Sequence, residues 1–396
     1  MMVQLPAAFT EITRQLLGEE RFGRYLQSFE EDAPVSIRLN PMKTVGMKVI
    51  DGECVAWCKE GYYLPKRPNF TMDPLLHAGC YYVQEAASMF VTHVLRQYVK
   101  TPVNILDMCA APGGKSTAAI ATLPAGSTLC ANEPIRQRAN ILKENITKWG
   151  YPGCTVTNLY PRDVRKSKAH YDVILCDVPC SGEGMFRKDE ATIREWSPQN
   201  VEKCWLLQRD IVSEAWQCLN DDGLLIYSTC TFNTKENEEN VRWMMRELDA
   251  QILPVEIQPE WNITGSLLEG FHEPVYRFIP GISRGEGLFM AVLRKKGSLT
   301  PCPLQKEREP KKQEPVPVID LDYKSAIAYL RGEALVLPED TPRGIVEVSF
   351  MGFPLGQMKN IGSRANNLYP KEWRIRTTHI PTDYEAILRH TEQNTD

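Results

Sequence analysis

Between residues 104 and 229, short apolar runs alternate with amphipathic stretches at the spacing of strands and helices. Ile105-Leu106 ahead of Asp107 suits a buried parallel strand, and Ser116 to Leu123 supplies small helix formers able to pack close to a sheet. Ser127-Thr-Leu-Cys-Ala131 predicts a second strand ending at Asn132-Glu133. Pro134 then opens a helix with Ile135, Ala139, Leu142, Ile146 and Trp149 on one broad face, closed by Gly150 or Gly153. A third strand is predicted near Cys154 to Thr157, and a fourth over Tyr171 to Asp177. Helical stretches from Asn200 to Leu219 lead to a fifth strand, Gly223 to Ser228. This alternation predicts an α/β fold with a parallel sheet.

The flanks read differently. Phe9, Ile12, Leu16 and Leu17 share a helical stripe that Phe22, Tyr25, Leu26 and Phe29 continue, and Val35 to Leu39 alternates like a strand. Residues 1–75 are therefore expected to form a small α+β module. From Asp73 the pattern changes, and Gly79 to Gln84 leads into the α/β domain, placed at 76–296. Residues 297–317 carry five prolines among Lys306, Glu307, Arg308, Lys311 and Lys312, which reads as a linker. Beyond it, Ile345 to Phe350 alternates as a strand, Gly352 and Gly356 mark turns, and Trp373 to Arg376 is another strand candidate. A β-rich module is expected over 318–396.

Composition narrows the class. At 396 residues and 43% hydrophobic content the chain can fill more than one core. It has no run of about 18 apolar residues, and its first residues lack the basic flank and apolar stretch of a leader, so a cytoplasmic protein with no membrane partner is expected. Its twelve cysteines form no C-x-x-C pairs and there are only six histidines, which argues against zinc and for free thiols. The net charge of −4 leaves room only for local contacts with nucleic acid. One such patch lies between Thr341 and Ile380, where six Lys or Arg stand against two Glu, interleaved with Tyr369 and Trp373 for phosphate contact and stacking. Arg38, Lys43, Lys66 and Arg67 are open to either reading, RNA contact or plain solvation.

The chemistry centres on Cys109-Ala-Ala-Pro-Gly-Gly-Lys115, between the first strand and its helix. Small side chains and two glycines let such a turn approach a ligand and aim amide hydrogens at it. Gly114-Lys115-Ser116 also resembles the end of a P-loop, but that motif requires glycine at position 109, which is Cys109. A nucleoside triphosphate is disfavoured. Glu133, closing the second strand, is placed to accept hydrogen bonds from a ribose diol. Asp177 with Cys180, and Cys230 after Thr229, fall at the carboxyl ends of the fourth and fifth strands. Ligands of open α/β sheets bind outside those ends, so all these residues converge on one crevice.

The segments CAAPGGKS, DVPCSGEGMFRKD and YSTCTFNTKENEENV resemble the motifs of the Sun-type RNA cytosine-5 methyltransferases over about residues 30 to 295. Over its whole length the chain is similar to the bacterial ribosomal-RNA branch of that family, which carries a C-terminal RNA-binding module. The resemblance implies a Rossmann-like core using S-adenosylmethionine, with Cys109, Ala110, Ala111, Pro112, Gly113, Gly114, Lys115, Glu133 and Asp177 at the cofactor. It also implies RNA-binding modules at both ends, the C-terminal one PUA-like. After the third strand, where the family places an acid facing the adenine, only Asp163 is on offer. Carbon 5 of cytosine is too weak a nucleophile to accept a methyl group until a thiolate has added to carbon 6, and a thiolate can both attack and leave. The resemblance implies that Cys230 attacks, Cys180 helps release product and Asp177 contacts the cytosine edge. The expected substrate is small-subunit (16S) ribosomal RNA, with transfer RNA as the nearest rival and a monomer as the working unit. A ribosome-assembly factor without catalysis is the competing class; retention of both cysteines, Asp177 and the intact loop argues against it. DNA is disfavoured, because a second cysteine follows Thr229 in addition to that of the Pro179-Cys180 pair.

Overall fold

The computed structural model describes residues 3–297, 316–377 and 379–391. Its centre is an eight-stranded sheet: β1 (Asn104–Asp107), β2 (Thr128–Asn132), β3 (Cys154–Thr157), β4 (Tyr171–Asp177), β5 (Leu219–Thr229), β6 (Ala250–Leu253), β7 (Tyr276–Phe278) and β8 (Leu288–Lys295). The spatial order is β6-β8-β5-β4-β1-β2-β3, with β7 also paired to β8. Strands β1 to β5 run parallel, and β8 closes on β5 antiparallel.

The two-residue period of the strands sorts this sheet into two apolar layers. Ile105, Leu129, Val173 and Ile226 face α1 (Gly114–Thr122) and α2 (Arg136–Trp149), meeting Ala118, Ala119, Leu142 and Ile146. Leu106, Ile174, Cys176 and Leu225 face the other way, onto Ile211, Val212 and Ala215 of the long helix at Pro198–Cys218. The chain leaves β1 toward β2 and β3, then returns to β4 on the opposite side of β1. That reversal opens a crevice at the carboxyl ends of β1 and β4.

Ahead of this core, Glu53–Val55, Cys58–Leu64, Val35–Leu39 and Tyr81–Val83 form a four-stranded sheet in that order. Its last strand lies beyond residue 75, where the leading module was expected to end. The N-terminal helix, Ala7–Gln27, does not cover this sheet. It bends at Gly18 (φ 75°, ψ 163°), which breaks the helical register. Phe9, Leu17, Phe22 and Tyr25 pack on Phe186, Trp196 and Phe232 of the central domain, while Ile12 and Leu26, expected in the buried stripe, are exposed.

The C-terminal sheet orders Val318–Asp320, Gly344–Phe350, Phe353–Asn360 and Ala365–Asn367. Trp373 to Arg376 is not a strand: Lys371–Trp373 is a single 3-10 turn entered from Pro370, and Ile375 makes one backbone bond, to Leu330. The expected linker lies, apart from its ends, outside the described residues. Among the described residues no helix is long and apolar enough to cross a membrane, and no cluster of side chains could hold a metal ion.

Candidate active site

The loop after β1 turns sharply because Gly113 adopts φ 112°, and α1 starts at Gly114. A Cβ on Gly113 would stand 3.2 Å from Leu142 Cδ1, so helix α2 fits against a bare backbone there. The loop is anchored from both neighbouring strands: Met108 N donates to Leu175 O at 3.0 Å, and Ala110 N to Asn132 O at 2.8 Å. Beneath it Asp107 is buried and accepts from Ser116 Oγ at 2.6 Å, its second oxygen being without a partner. Burial pushes its carboxyl up to about 7, against the help of the Ser116 hydroxyl and with nearby Asp177 adding to the rise.

Glu133 stands at the end of β2 with 1% of its surface exposed. Ile135 N donates to its Oε1 at 3.0 Å, and Arg138 Nη1 lies 3.5 Å from Oε2, which has no hydrogen-bond partner. Cys109 and Glu133 open on a cavity of about 610 Å³ that continues between Pro134-Ile135, Tyr160-Pro161 and the Pro198–Cys218 helix. Ile135 belongs to this cavity and precedes the first turn of α2, so it is not part of that helix's buried face. Asp163 is not brought to the cavity. It sits in the first turn of Pro161–Lys166 and pairs with Lys166 Nζ at 3.2 Å.

Asp177, ending β4, receives Ser228 Oγ at 2.7 Å and Lys115 Nζ at 2.9 Å, so the loop and two adjacent strands meet at one carboxylate. Burial alone would pull the Lys115 ammonium down, yet Asp177 beside it raises the net value. Parallel register sets Asp177 opposite Ser228. Three residues past Asp177 and two past Ser228, Cys180 Sγ and Cys230 Sγ lie 3.1 Å apart. The Cys180 thiol is held well above its ordinary value, first by its hydrogen bond with Cys230 and then by burial.

A buried polar frame that the sequence reading did not assign holds the two cysteine loops. Glu236 Oε2 accepts from Ser181 N at 3.0 Å and Gln208 Nε2 at 2.7 Å, while Asn233 Nδ2 donates to Glu236 Oε1 at 2.8 Å. Asn237 ties Thr229 Oγ1 at 2.6 Å to Thr231 O at 2.9 Å. The density of Asn and Glu immediately after Cys230 was the available signal, since so polar a segment is buried only when its groups bond one another. Of the undecided basic residues, Arg38 is buried, stacked 4.5 Å over Trp149 and bonded to Gln84 and Thr117. Lys43 caps Ala78 O and Lys148 O, whereas Lys66 and Arg67 are exposed.

Sequence profiles place this geometry. One described as 16S rRNA methyltransferase RsmB/F matches residues 98–294; the N-terminal domain of 16S rRNA methyltransferase RsmF matches 5–86, and the methyltransferase RsmF PUA domain matches 316–375. The chain belongs to the RsmB/F methyltransferase family. Ribosomal RNA small subunit methyltransferase F of Pectobacterium atrosepticum is 31% identical over 321 residues, 76% of this chain and 64% of that relative. The same-named protein of Erwinia tasmaniensis is 32% identical over 320 residues, covering 76% and 66%. The chain therefore spans just under two thirds of the length of these curated relatives. Among solved structures, a methyltransferase homolog protein from Pyrococcus horikoshii superposes with TM-score 0.63 at 25% identity, over 74% of this chain and 96% of the other. NSun6 from the same organism, solved with SFG, gives 0.61 at 21% over 75% and 100%, a likeness of fold. In this RsmB/F member the central sheet is thus the Rossmann-like methyltransferase core, followed by the PUA domain.

Proposed function

We propose that this RsmB/F-family chain methylates carbon 5 of a cytosine in RNA, in small-subunit ribosomal RNA, with S-adenosylmethionine as donor. The observation that carries the reading is the pair of thiols, Cys180 and Cys230, 3.1 Å apart at the carboxyl ends of adjacent strands, three residues past Asp177 and two past Ser228, its hydrogen-bond partner. A fold alone would not need that constellation.

The residues fit the cofactor on two counts. Glu133 has a buried oxygen without a hydrogen-bond donor, as a ribose diol would supply, and the Cys109–Lys115 loop offers bare backbone at Gly113. When bound, S-adenosylmethionine supplies an electrophilic methyl group on sulfonium sulfur. The chain's own residues do the rest. Cys230 Sγ, as thiolate, bonds to carbon 6 of the cytosine and makes carbon 5 nucleophilic; after methyl transfer carbon 5 gives up its proton and the Sγ–C6 bond breaks, returning the thiolate. Cys180, held protonated, assists that release. Asp177, fixed by Ser228 and Lys115, faces the cytosine edge as it gains electron density. The end modules position RNA, and an unstacked or flipped cytosine is required for access to carbon 6. With every described cysteine free, a reducing cytosol is the compartment we assign.

The names of the relatives favour ribosomal over transfer RNA. The test is bisulfite sequencing of total RNA from cells with and without the chain, beside transfer of labelled methyl to purified 16S RNA. One protected cytosine in 16S RNA that disappears with the gene is expected. A position lost from transfer RNA instead would reassign the substrate, and tight ATP binding without S-adenosylmethionine binding would overturn the methyltransferase reading.

A further inference from the structure

The cavity beside Glu133 has walls that Glu133 itself does not explain. Among them are Pro134, Ile135, Pro179, Leu207 and Ile211, contributed by the turns after β2 and β4 and by the Pro198–Cys218 helix. Ile135 and Leu207 leave 53% and 45% of their surface open, although both are large and apolar. Exposed apolar groups from separate elements lining one cavity describe a slot for a flat, weakly polar ring. Adenine is such a ring, and its recognition edge carries an amine that needs an acceptor.

Besides Glu133, three acids come into question. Asp163 lies outside the cavity and is paired with Lys166. Glu214 lines it but is held by Arg165. Asp210, one helical turn before Glu214, lines the cavity as well, and its carboxylate takes part in no hydrogen bond or ion pair among the described residues. It is exposed on its helix, so its carboxylate is hydrated and free to accept from a ligand.

We propose that Asp210, on the helix after β4, reads the exocyclic amine of the cofactor's adenine, in place of an acid after the third strand. The inference rests on the S-adenosylmethionine reading of the same cavity. A carboxylate accepting from the amine favours adenine and repels the carbonyl oxygen that hypoxanthine carries at the same position. Asp210 is then a specificity residue for the cofactor, separate from the reacting thiols.

Calorimetry of the full chain with S-adenosylhomocysteine and S-inosylhomocysteine tests this, because the two differ only along one edge of the purine, where the amine and bare N1 become a carbonyl and N1–H. The wild-type chain should prefer the adenosyl ligand. Asp210→Ala should weaken that ligand roughly tenfold or more, the loss of one charge-assisted bond, and leave the inosyl ligand no weaker. Asp210→Asn should narrow the preference further, since its amide can donate to the carbonyl; a merely structural role would weaken both ligands alike. An unchanged preference in both Asp210 variants overturns the proposal, as does a preference lost in Asp163→Asn instead. A wild-type chain that binds neither ligand overturns the cofactor reading itself, which is a different result.

Discussion

At the scale of single residues, the two thiols and the buried acid under the loop behave in opposite senses. Cys230→Ser should abolish methylation and form no adduct, because carbon 5 is then never activated. Cys180→Ser should instead accumulate protein joined to RNA, seen as a denaturation-resistant band that requires S-adenosylmethionine; normal turnover by this variant would refute the division of roles. Both cysteines were legible in the sequence as ends of strands, but their 3.1 Å approach was not, since it depends on the register that sets Asp177 opposite Ser228. Asp107 carries the pH prediction. Its folded value, raised by burial to about 7 from 3.8, means the native state holds that proton more tightly than the unfolded chain. The associated stability is present in full below about pH 4 and is lost as pH rises through about 7. The melting temperature of the wild type should therefore fall behind that of Asp107→Asn over this window, and a constant gap would show that Asp107 does not titrate there.

At the scale of elements, the strand-loop-helix unit around residues 104–122 was fully readable, because near-continuous apolar residues, two glycines and small helix formers leave few other conformations. Gly113→Ala tests the loop. Forcing a Cβ into φ 112° beside Leu142 should cost roughly 1–3 kcal/mol of stability and weaken cofactor binding, measured by denaturant melts and calorimetry. Two elements escaped the periodic reading. The stripe Ile12, Leu16, Leu17 continued through Gly18 on paper, yet the bend there turns Ile12 and Leu26 to solvent. Trp373 to Arg376 alternates like a strand, but Trp373 packs edge-on against Tyr369 and under Lys148, and among the described residues no strand lies alongside to complete a ladder. Tyr369 is itself buried against Tyr329, so that ring, expected to stack on bases, forms a packing joint, while Trp373 stays partly exposed.

At the scale of the whole molecule, the leading sheet and the C-terminal sheet share one core. Ile37, Leu39 and Tyr81 of the first sheet, with Phe70 and Leu75 beside it, meet Val346 and Val348 of the second, with Ile327, Leu330 and Leu388 beside it. Leu388–His390 also pairs as a strand with Met47–Val49. Arg38, on an inner strand of the first sheet, ties that sheet to the central domain by donating to Thr117 of α1 and to Gln84. Deleting residues 318–396 should accordingly lower the melting temperature of what remains and promote aggregation, because each large apolar side chain stripped of cover forfeits about 1.5–3 kcal/mol. An unchanged melting curve by calorimetry would show the C-terminal part to be energetically separate. If the truncated chain stays folded, its RNA affinity should fall less steeply with salt than that of the full chain, since six Lys or Arg between Thr341 and Ile380 are gone.

The chain by itself determined the alternation of strands and helices, the sharp glycine turn after the first strand of the central sheet, and which residues fall at carboxyl ends, since each follows from local periodicity and turn chemistry acting over a few residues. Tertiary structure alone decided that Asp163 turns away while Asp210, 47 positions later, enters the cavity, and that Arg38 is a buried strut and not a surface cation. Which of several similar charged side chains reaches a cavity depends on how distant elements pack. That is a matter of long-range geometry, which leaves no periodic trace along the chain.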